Sequence, residues 1–143
     1  VIDAVRAGDI ERALSVARDI ANILVPPRLG GKSGDNDWVE FAAIELIVMG
    51  LLWLAETRPE ECTPCGLYLL LNRPPPEIFR LVGTTKLPSV MRRLMSLQAE
   101  YAAQAAKQVT WKIQKAYESL TLFEPESCYA RITSKSDFDP ASL

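Results

Sequence analysis

The first residues whose types and spacing could do chemistry are Gly31-Lys32-Ser33. This tripeptide matches the end of a phosphate-binding loop. That loop also requires a glycine five positions before Gly31, so that several backbone N–H groups converge on the phosphates. Pro26 stands at that position, and the preceding residues are predicted to be a helix rather than the buried strand that the loop follows. We therefore predict a glycine-rich connection between two helices and no nucleotide site.

Cys62-Thr63-Pro64-Cys65 is a C-x-x-C pair, a spacing found in thiol redox sites and in halves of zinc sites. A zinc ribbon needs a second such pair, and only Cys128 remains. A thioredoxin-like site needs a βαβ unit, whereas this region is predicted to be helical. The alternative is that Thr63 caps a helix whose first residue is Pro64, which leaves two structural cysteines. A thiol oxidoreductase using Cys62 and Cys65 stays open as a minor alternative.

Histidine is absent from the chain. This excludes Ser-His and Cys-His nucleophile pairs, histidine-ligated zinc and histidine acid–base catalysis. We therefore assign no catalytic, cofactor-binding or metal-binding residue, and expect a binding domain rather than an enzyme. The sparse, odd set of three cysteines is typical of a reducing, cytoplasmic setting.

Charge is segregated along a chain whose formal net charge is only −2. From Asp35 to Glu61 there are seven acids and one base, a net charge of −6, whereas Lys86 to Lys115 holds six bases and one acid, a net charge of +5. Exposed helix faces commonly carry such charges, but a cluster of bases beside aromatic residues is also typical of a docking face for phosphates or an acidic partner. The candidate partner-binding residues are Arg92, Arg93, Lys107, Trp111, Lys112 and Lys115 on the basic segment, and Glu60 and Glu61 on the acidic one.

Two kinds of partner suit the basic segment. One is a protein or nucleoprotein cargo bound through surface charge. The other is single-stranded DNA, whose backbone would contact Arg92, Arg93 and Lys112 while a base stacks on Trp111 or Tyr101.

Apolar spacing predicts the elements that position these residues. Helices are expected from Ile10 to Leu24, with Asp9 as cap, and from Trp38 to Glu56, which is apolar nearly all round. Shorter helices are expected near 63–71 and 77–82, the latter closed by Gly83, and a long helical stretch from Pro88 to about Leu120. Whether this stretch is one helix or two stays open, and its Ala/Gln-rich span 98–108 is expected to project or to pack weakly.

The predicted fold is therefore a single all-α domain over residues 1–143, a compact bundle of about five to seven helices with an extended C-terminal segment. Alternating residues allow one short strand from Ser127 to Thr133. The chain shows no signal peptide, and the uninterrupted apolar run Leu46 to Ala55 is too short to cross a bilayer. The expected core is formed by Trp38, Phe41, Ile44, Val48, Leu52 and Leu94.

Four segments, in this order, resemble the all-α domain of type IV secretion coupling proteins, the conjugation ATPases of the TraG type. They are DAVRAGD (3–9), ARDIANILVPP (17–27), DNDWVEFAAIELIVMGLLWLAE (35–56) and SLTLFEPESCYARITSKSDFD (119–139). The shared features are a helix ending in a Leu-Val-Pro step, an acid-Trp opening to a very apolar helix, and a terminal return strand. The resemblance covers nearly the whole chain, and its weight lies in the order and spacing of the segments.

This resemblance implies that the domain is an excerpt, inserted in a larger RecA-like ATPase that forms a homo-hexamer. A separate segment would anchor that parent in the bacterial inner membrane, with this domain on the cytoplasmic side. The domain would select the cargo, relaxase-bound DNA or an effector protein, that the parent passes to the secretion channel. The chain itself carries no ATPase motif.

Overall fold

A computed structural model describes residues 1–25 and 37–121, with side chains described for all of them except residues 37–40 and 104–105. Within these ranges the chain is all-α, as predicted, and forms seven α-helices. A 3₁₀ turn, Pro59–Glu61, connects the third and fourth helices, and a π-helical segment, Tyr101–Ala105, connects the last two. The α-helices are α1 (Ile2–Arg6), α2 (Ile10–Leu24), α3 (Asp37–Thr57), α4 (Pro64–Leu71), α5 (Pro75–Val82), α6 (Pro88–Glu100) and α7 (Ala106–Glu118).

Helix starts follow local capping chemistry. The Asp9 carboxylate accepts a hydrogen bond from the backbone N–H of Arg12 at 3.2 Å, and the Thr63 hydroxyl accepts one from the N–H of Gly66 at 3.1 Å. Each bond satisfies a backbone donor that the first turn of a helix leaves without a partner. The predicted caps of α2 and α4 are thus confirmed. The Gly31-Lys32-Ser33 stretch and the predicted strand Ser127–Thr133 lie outside the described residues.

The core is built around α3, which packs against α1, α2, α4, α6 and α7. Val48, Leu52 and Leu94 are fully buried, as expected, and Ile44 is partly buried. Phe41 was wrongly placed in the core, because 65% of its surface is exposed. A helix that is apolar nearly all round has no periodicity to show which residues face solvent, and residues 41–45 of α3 are less buried than residues 46–55. The side chain of Trp38 is outside the described set.

The long helical stretch after Pro88 bends at the π-helical segment. The Glu100 carboxylate and the Lys112 ammonium lie 2.6 Å apart across this segment, although they are twelve residues apart in sequence. A straight α-helix would hold Cα atoms twelve residues apart about 18 Å from each other, which is further than the two side chains can span. The π-helical residues are a known cause of such a bend. Both α6 and α7 can therefore pack on α3.

The bend is packed on its inner side and open on its outer side. The Tyr101 ring meets the Phe79 ring edge to face, with centroids 5.4 Å apart. Ala102 and Ala103 are exposed, and so are Lys107 and Gln108 at the start of α7. This agrees with the weak packing that was expected for span 98–108.

Candidate functional site

An open groove of about 680 Å³ lies where α2, α3, α6 and α7 meet. Its apolar wall includes Leu46, Met49 and Leu97, which are buried core residues, and the exposed ring of Phe41. We call it the charged groove, because five ionisable side chains also line it: Glu45 from α3, Arg92, Arg93 and Glu100 from α6, and Lys112 from α7.

Glu45 is the electrostatic centre of one side of the groove. One carboxylate oxygen accepts a hydrogen bond from Arg93 Nε at 2.7 Å, and the other accepts one from Arg18 Nη2 at 2.9 Å. Arg93 is held further by a 3.1 Å hydrogen bond from Nη1 to the carbonyl oxygen of Ser89, and only 20% of its side chain is exposed. Three helices, α2, α3 and α6, are thereby joined through one carboxylate.

Glu100 and Lys112 form the second ion pair of the groove. The Lys112 ammonium donates to both carboxylate oxygens, at 2.7 and 2.6 Å, and only 16% of the lysine side chain is exposed. The pair spans the bend between α6 and α7, so the groove's far wall depends on that bend.

Arg92 differs from the other two groove cations that the sequence indicated. It is exposed, and makes no ion pair or hydrogen bond with any residue that the structure describes. Arg93 and Lys112, by contrast, are largely compensated by Glu45 and Glu100. The structure thus brings Arg92, Arg93 and Lys112 together, but leaves only Arg92 with its charge wholly unpaired.

Lys107, Trp111 and Lys115 lie on α7 and do not line this groove. The Lys107 ammonium stands 5.7 Å from the centroid of the Trp111 ring, a cation–π distance, and 53% of Trp111 is exposed. Lys115 follows Trp111 by one helical turn and is partly buried. These three residues form a smaller surface of their own.

Glu60 and Glu61 are placed in a different region. Both are exposed in the 3₁₀ turn, beside a second groove of about 260 Å³ that shares no lining residue with the charged groove. Glu61 lies 3.5 Å from the Arg58 guanidinium, which also stands 5.2 Å from the centroid of the Trp53 ring. The acidic and basic candidates therefore belong to separate surfaces.

The cysteine pair lies against α3 and at the start of α4. The Cys62 thiol is buried and donates to the carbonyl oxygen of Leu51 at 3.6 Å, and burial raises its pKa to about 11. Burial raises the pKa of Cys65 as well. A nucleophilic thiol needs a lowered pKa, so both shifts run opposite to thiol catalysis. Among the described residues no cluster of acids and cysteines is arranged to hold a metal ion.

Sequence reasoning missed Glu45, Glu100 and Arg18 as parts of the site. A usable signal existed for Glu45, because a charge that interrupts an apolar helix needs a charged or hydrogen-bonding partner. Glu100 was the single acid of the basic segment, and its pairing with Lys112 depends on a bend that the sequence does not reveal.

No protein-family model matches the chain, and neither the curated sequences nor the solved structures contain a significant match. Over the described ranges, no helix combines the length and the apolar character needed to cross a membrane.

Proposed function

We propose that this domain recognises cargo for a type IV secretion or conjugation coupling protein. In this role it lies on the cytoplasmic side of the bacterial inner membrane and selects relaxase-bound DNA or an effector protein for transfer. The parent is a homo-hexameric, RecA-like ATPase anchored in the membrane by a segment outside this chain. This proposal rests first on the order of the four segments that resemble that family.

The observation that carries a binding role is the charged groove. It combines an apolar wall, an exposed aromatic ring at Phe41 and the guanidinium of Arg92, which pairs with none of the described residues. Exposed apolar area next to a few oriented polar groups is typical of surfaces that bind a partner. A domain without histidine, and with both described thiols shifted away from reactivity, is better suited to binding than to chemistry.

A second candidate function is contact with single-stranded DNA, and the half-exposed Trp111 beside Lys107 favours it. A base can stack on such a ring, and the nearby ammonium groups attract the backbone. Two observations weaken it. Arg93 and Lys112 are already paired with carboxylates, and Tyr101, the other proposed stacking residue, packs against Phe79.

The experiment has two parts, and the first is to determine the coding sequence on both sides of residues 1–143. A phosphate-binding loop upstream and an apolar strand ending in an acid downstream would support the insertion in an ATPase. Their absence would contradict it.

The second part is a pull-down against relaxosome and effector proteins, with Arg92→Glu compared with the double change Glu60→Lys/Glu61→Lys. We expect Arg92→Glu to weaken cargo binding and to flatten its salt dependence, because an anionic cargo loses a charge partner. Loss of binding in the Glu60/Glu61 variant alone would show that the cargo is basic and uses the other groove.

A further inference from the structure

The charge balance of the groove identifies the chemistry of its partner. Three cations, Arg92, Arg93 and Lys112, line the groove beside two carboxylates, Glu45 and Glu100. The lining residues therefore carry a net charge of +1 by subtraction. This net charge disfavours a basic partner, whereas a carboxylate would meet the Arg92 guanidinium, which makes no ion pair with any acid that the structure describes. Arginine binds carboxylates through two parallel hydrogen bonds, which fixes their orientation as well as their distance.

The apolar wall of the groove requires the same partner to bring apolar side chains. Leu46, Met49 and Leu97 border the groove from the core, and the Phe41 ring stands 65% exposed beside them. Covering this ring removes apolar surface from water, which stabilises a complex by roughly 25 cal/mol for each Å² buried. A volume of about 680 Å³ is enough for several side chains rather than one.

A nucleic-acid strand fits these features less well than a peptide does. A strand needs a row of free cations along its backbone and an aromatic ring for its bases. The charged groove supplies one aromatic ring, Phe41, while Trp111 lies outside. It does not supply a row of free cations, because Arg93 and Lys112 are paired with carboxylates and, among the described residues, Arg92 alone of the lining cations makes no ion pair. An amphipathic helix instead places its apolar residues on one face, with charged residues along both edges of that face.

We infer that the charged groove binds an acidic amphipathic helix of a partner protein, whose apolar face covers Phe41 and whose edge carboxylate pairs with Arg92. This inference rests on the proposed cargo-docking function, and it specifies which part of the cargo the domain binds.

The test uses the whole chain and a displayed peptide library as the probe. Each peptide is about 18 residues long, long enough to hold a helix when bound. Positions i, i+3, i+4 and i+7 are drawn from Leu, Ile, Phe and Met, and the flanking positions from Glu or Lys. We expect selection on the immobilised protein to enrich Glu over Lys. A selected peptide should bind about tenfold more tightly than its Glu→Lys copy, the size of one charge-assisted contact.

Variants then locate the binding. Arg92→Glu should reverse the preference for Glu over Lys, and Phe41→Ala should weaken the selected peptide several-fold, since each removes one of the two recognised features. The matched controls are Arg80→Glu, an exposed arginine on α5, and Leu69→Ala, an exposed leucine on α4, neither of which lines the charged groove. Both controls should bind as the unchanged protein does.

Three results would overturn the inference. They are enrichment of Lys or of no peptide, an unchanged preference in Arg92→Glu, and displacement of the peptide by an oligothymidine strand, which would assign the groove to nucleic acid. Peptide selection is independent of the sequence that flanks the domain. If the flanking ATPase motifs were missing while Glu-rich peptides still bound, the secretion role would fail and the groove assignment would stand. If those motifs were present and no Glu-rich peptide bound, the secretion role would stand and the groove assignment would fail.

Discussion

The two halves of α3 hold their carboxylates in different ways. Near the C-terminal end, Glu56 accepts a hydrogen bond from the Thr85 hydroxyl at 2.8 Å and another from the backbone N–H of Lys86 at 3.0 Å. One turn earlier, Trp53 Nε1 donates to the Thr84 hydroxyl at 3.1 Å. All three contacts go to one short loop between α5 and α6. This end of the helix is fixed in place by neutral donors.

The N-terminal half of α3 holds Glu45 between two guanidinium groups that come from different helices. Both partners are long side chains, and the exposed Arg18 and the open groove beside Arg93 give them room to change partner. A carboxylate held by backbone and hydroxyl groups is structural, whereas one shared between arginines can also position those arginines for a ligand. Helix α3 is thus anchored near its C-terminal end, at Glu56, and is available for binding in its N-terminal half, at Glu45.

The largest effect should separate the buried part of α3, residues 46–55, from the exposed Phe41 near its start. Leu52 is fully buried, so Leu52→Ala should lower the free energy of unfolding by about 2–5 kcal/mol. Phe41→Ala removes a larger side chain, but one that is mostly in water, and should cost less than about 0.5 kcal/mol. Chemical denaturation of both variants measures the difference. Equal costs would mean that Phe41 is covered in solution.

The second effect is a dependence on alkaline pH that Cys62 introduces. In the unfolded chain the thiol has an ordinary pKa of 9.0, and in the folded chain burial raises this pKa to about 11. Between these values the unfolded chain loses the proton and the folded chain keeps it, so the free energy of unfolding falls as pH rises. The slope contributed by this group approaches about 1.4 kcal/mol per pH unit, and the contribution is fully retained below pH 9.

Comparison with Cys62→Ala isolates this slope, because lysine and tyrosine titrations are common to both proteins. The unchanged protein should lose stability more steeply than the variant from about pH 9 to 11, and Cys65→Ala should retain most of the slope. Thiol labelling gives a second measurement, since Cys65 should react before Cys62. Two results would contradict the burial of Cys62: the same pH dependence of unfolding free energy in both proteins, or a thiolate already formed near neutral pH. Such a thiolate would also reopen the thiol oxidoreductase alternative.

The third effect tests the contrast between the two carboxylates directly. Glu45→Gln leaves Arg18 and Arg93 with weaker partners and should cost about 1–2 kcal/mol, the range for hydrogen bonds to charged groups in a partly exposed site. Added salt should shrink that cost, because ions screen the guanidinium–carboxylate attraction. Glu56→Gln should show a cost that changes less with salt, since its donors are neutral. If Glu45→Gln and Glu56→Gln showed the same salt dependence, the proposed difference between the charged partners of Glu45 and the neutral donors of Glu56 would be contradicted.

Much of the fold followed from the sequence, because helix boundaries depend on local chemistry. Asp9, the Thr63-Pro64 pair and Gly83 mark ends that the structure confirms within a residue or two. The faces of α2 were also predictable, since its buried Ala13, Ala17, Ile20 and Ala21 recur at helical spacing. Local propensity and global packing agree at these positions.

The site was less predictable, because it depends on contacts between distant residues. Phe41 was misplaced because the apolar residues of α3 surround the helix and give no preferred face. The charge count over 86–115 was correct, but could not show that Glu45, from the acidic part of the chain, would neutralise Arg93. Nor could spacing alone bring Glu100 to Lys112, which requires the bend at the π-helical segment.

The smallest effect is expected at the acidic 3₁₀ turn, Pro59–Glu61. Its exposed acids serve as a reference for Glu45 and Glu56, whose carboxylates are held by several donors. Glu60 and Glu61 are exposed. Within the part of the chain that the structure describes, Glu61 makes one ion pair, with Arg58 at 3.5 Å, and both side chains of this pair are about half exposed. Reversing Glu60 and Glu61 to lysine should change the free energy of unfolding by no more than about 0.5 kcal/mol, because solvent screens such pairs.

The double variant should also leave the binding of Glu-rich helices to the charged groove unchanged, since the two grooves share no residue. Arg92→Glu is the matched opposite of this double variant. It too alters an exposed charge and should spare the fold, yet it should reverse the preference for acidic peptides. Denaturation and peptide binding are measured on both variants. They distinguish exposed charges with no role in binding, at Glu60 and Glu61, from the charge of Arg92, which is placed to contact the peptide. A similar loss of binding in both would mean that the peptide responds to the net charge of the domain, and that Arg92 has no specific role.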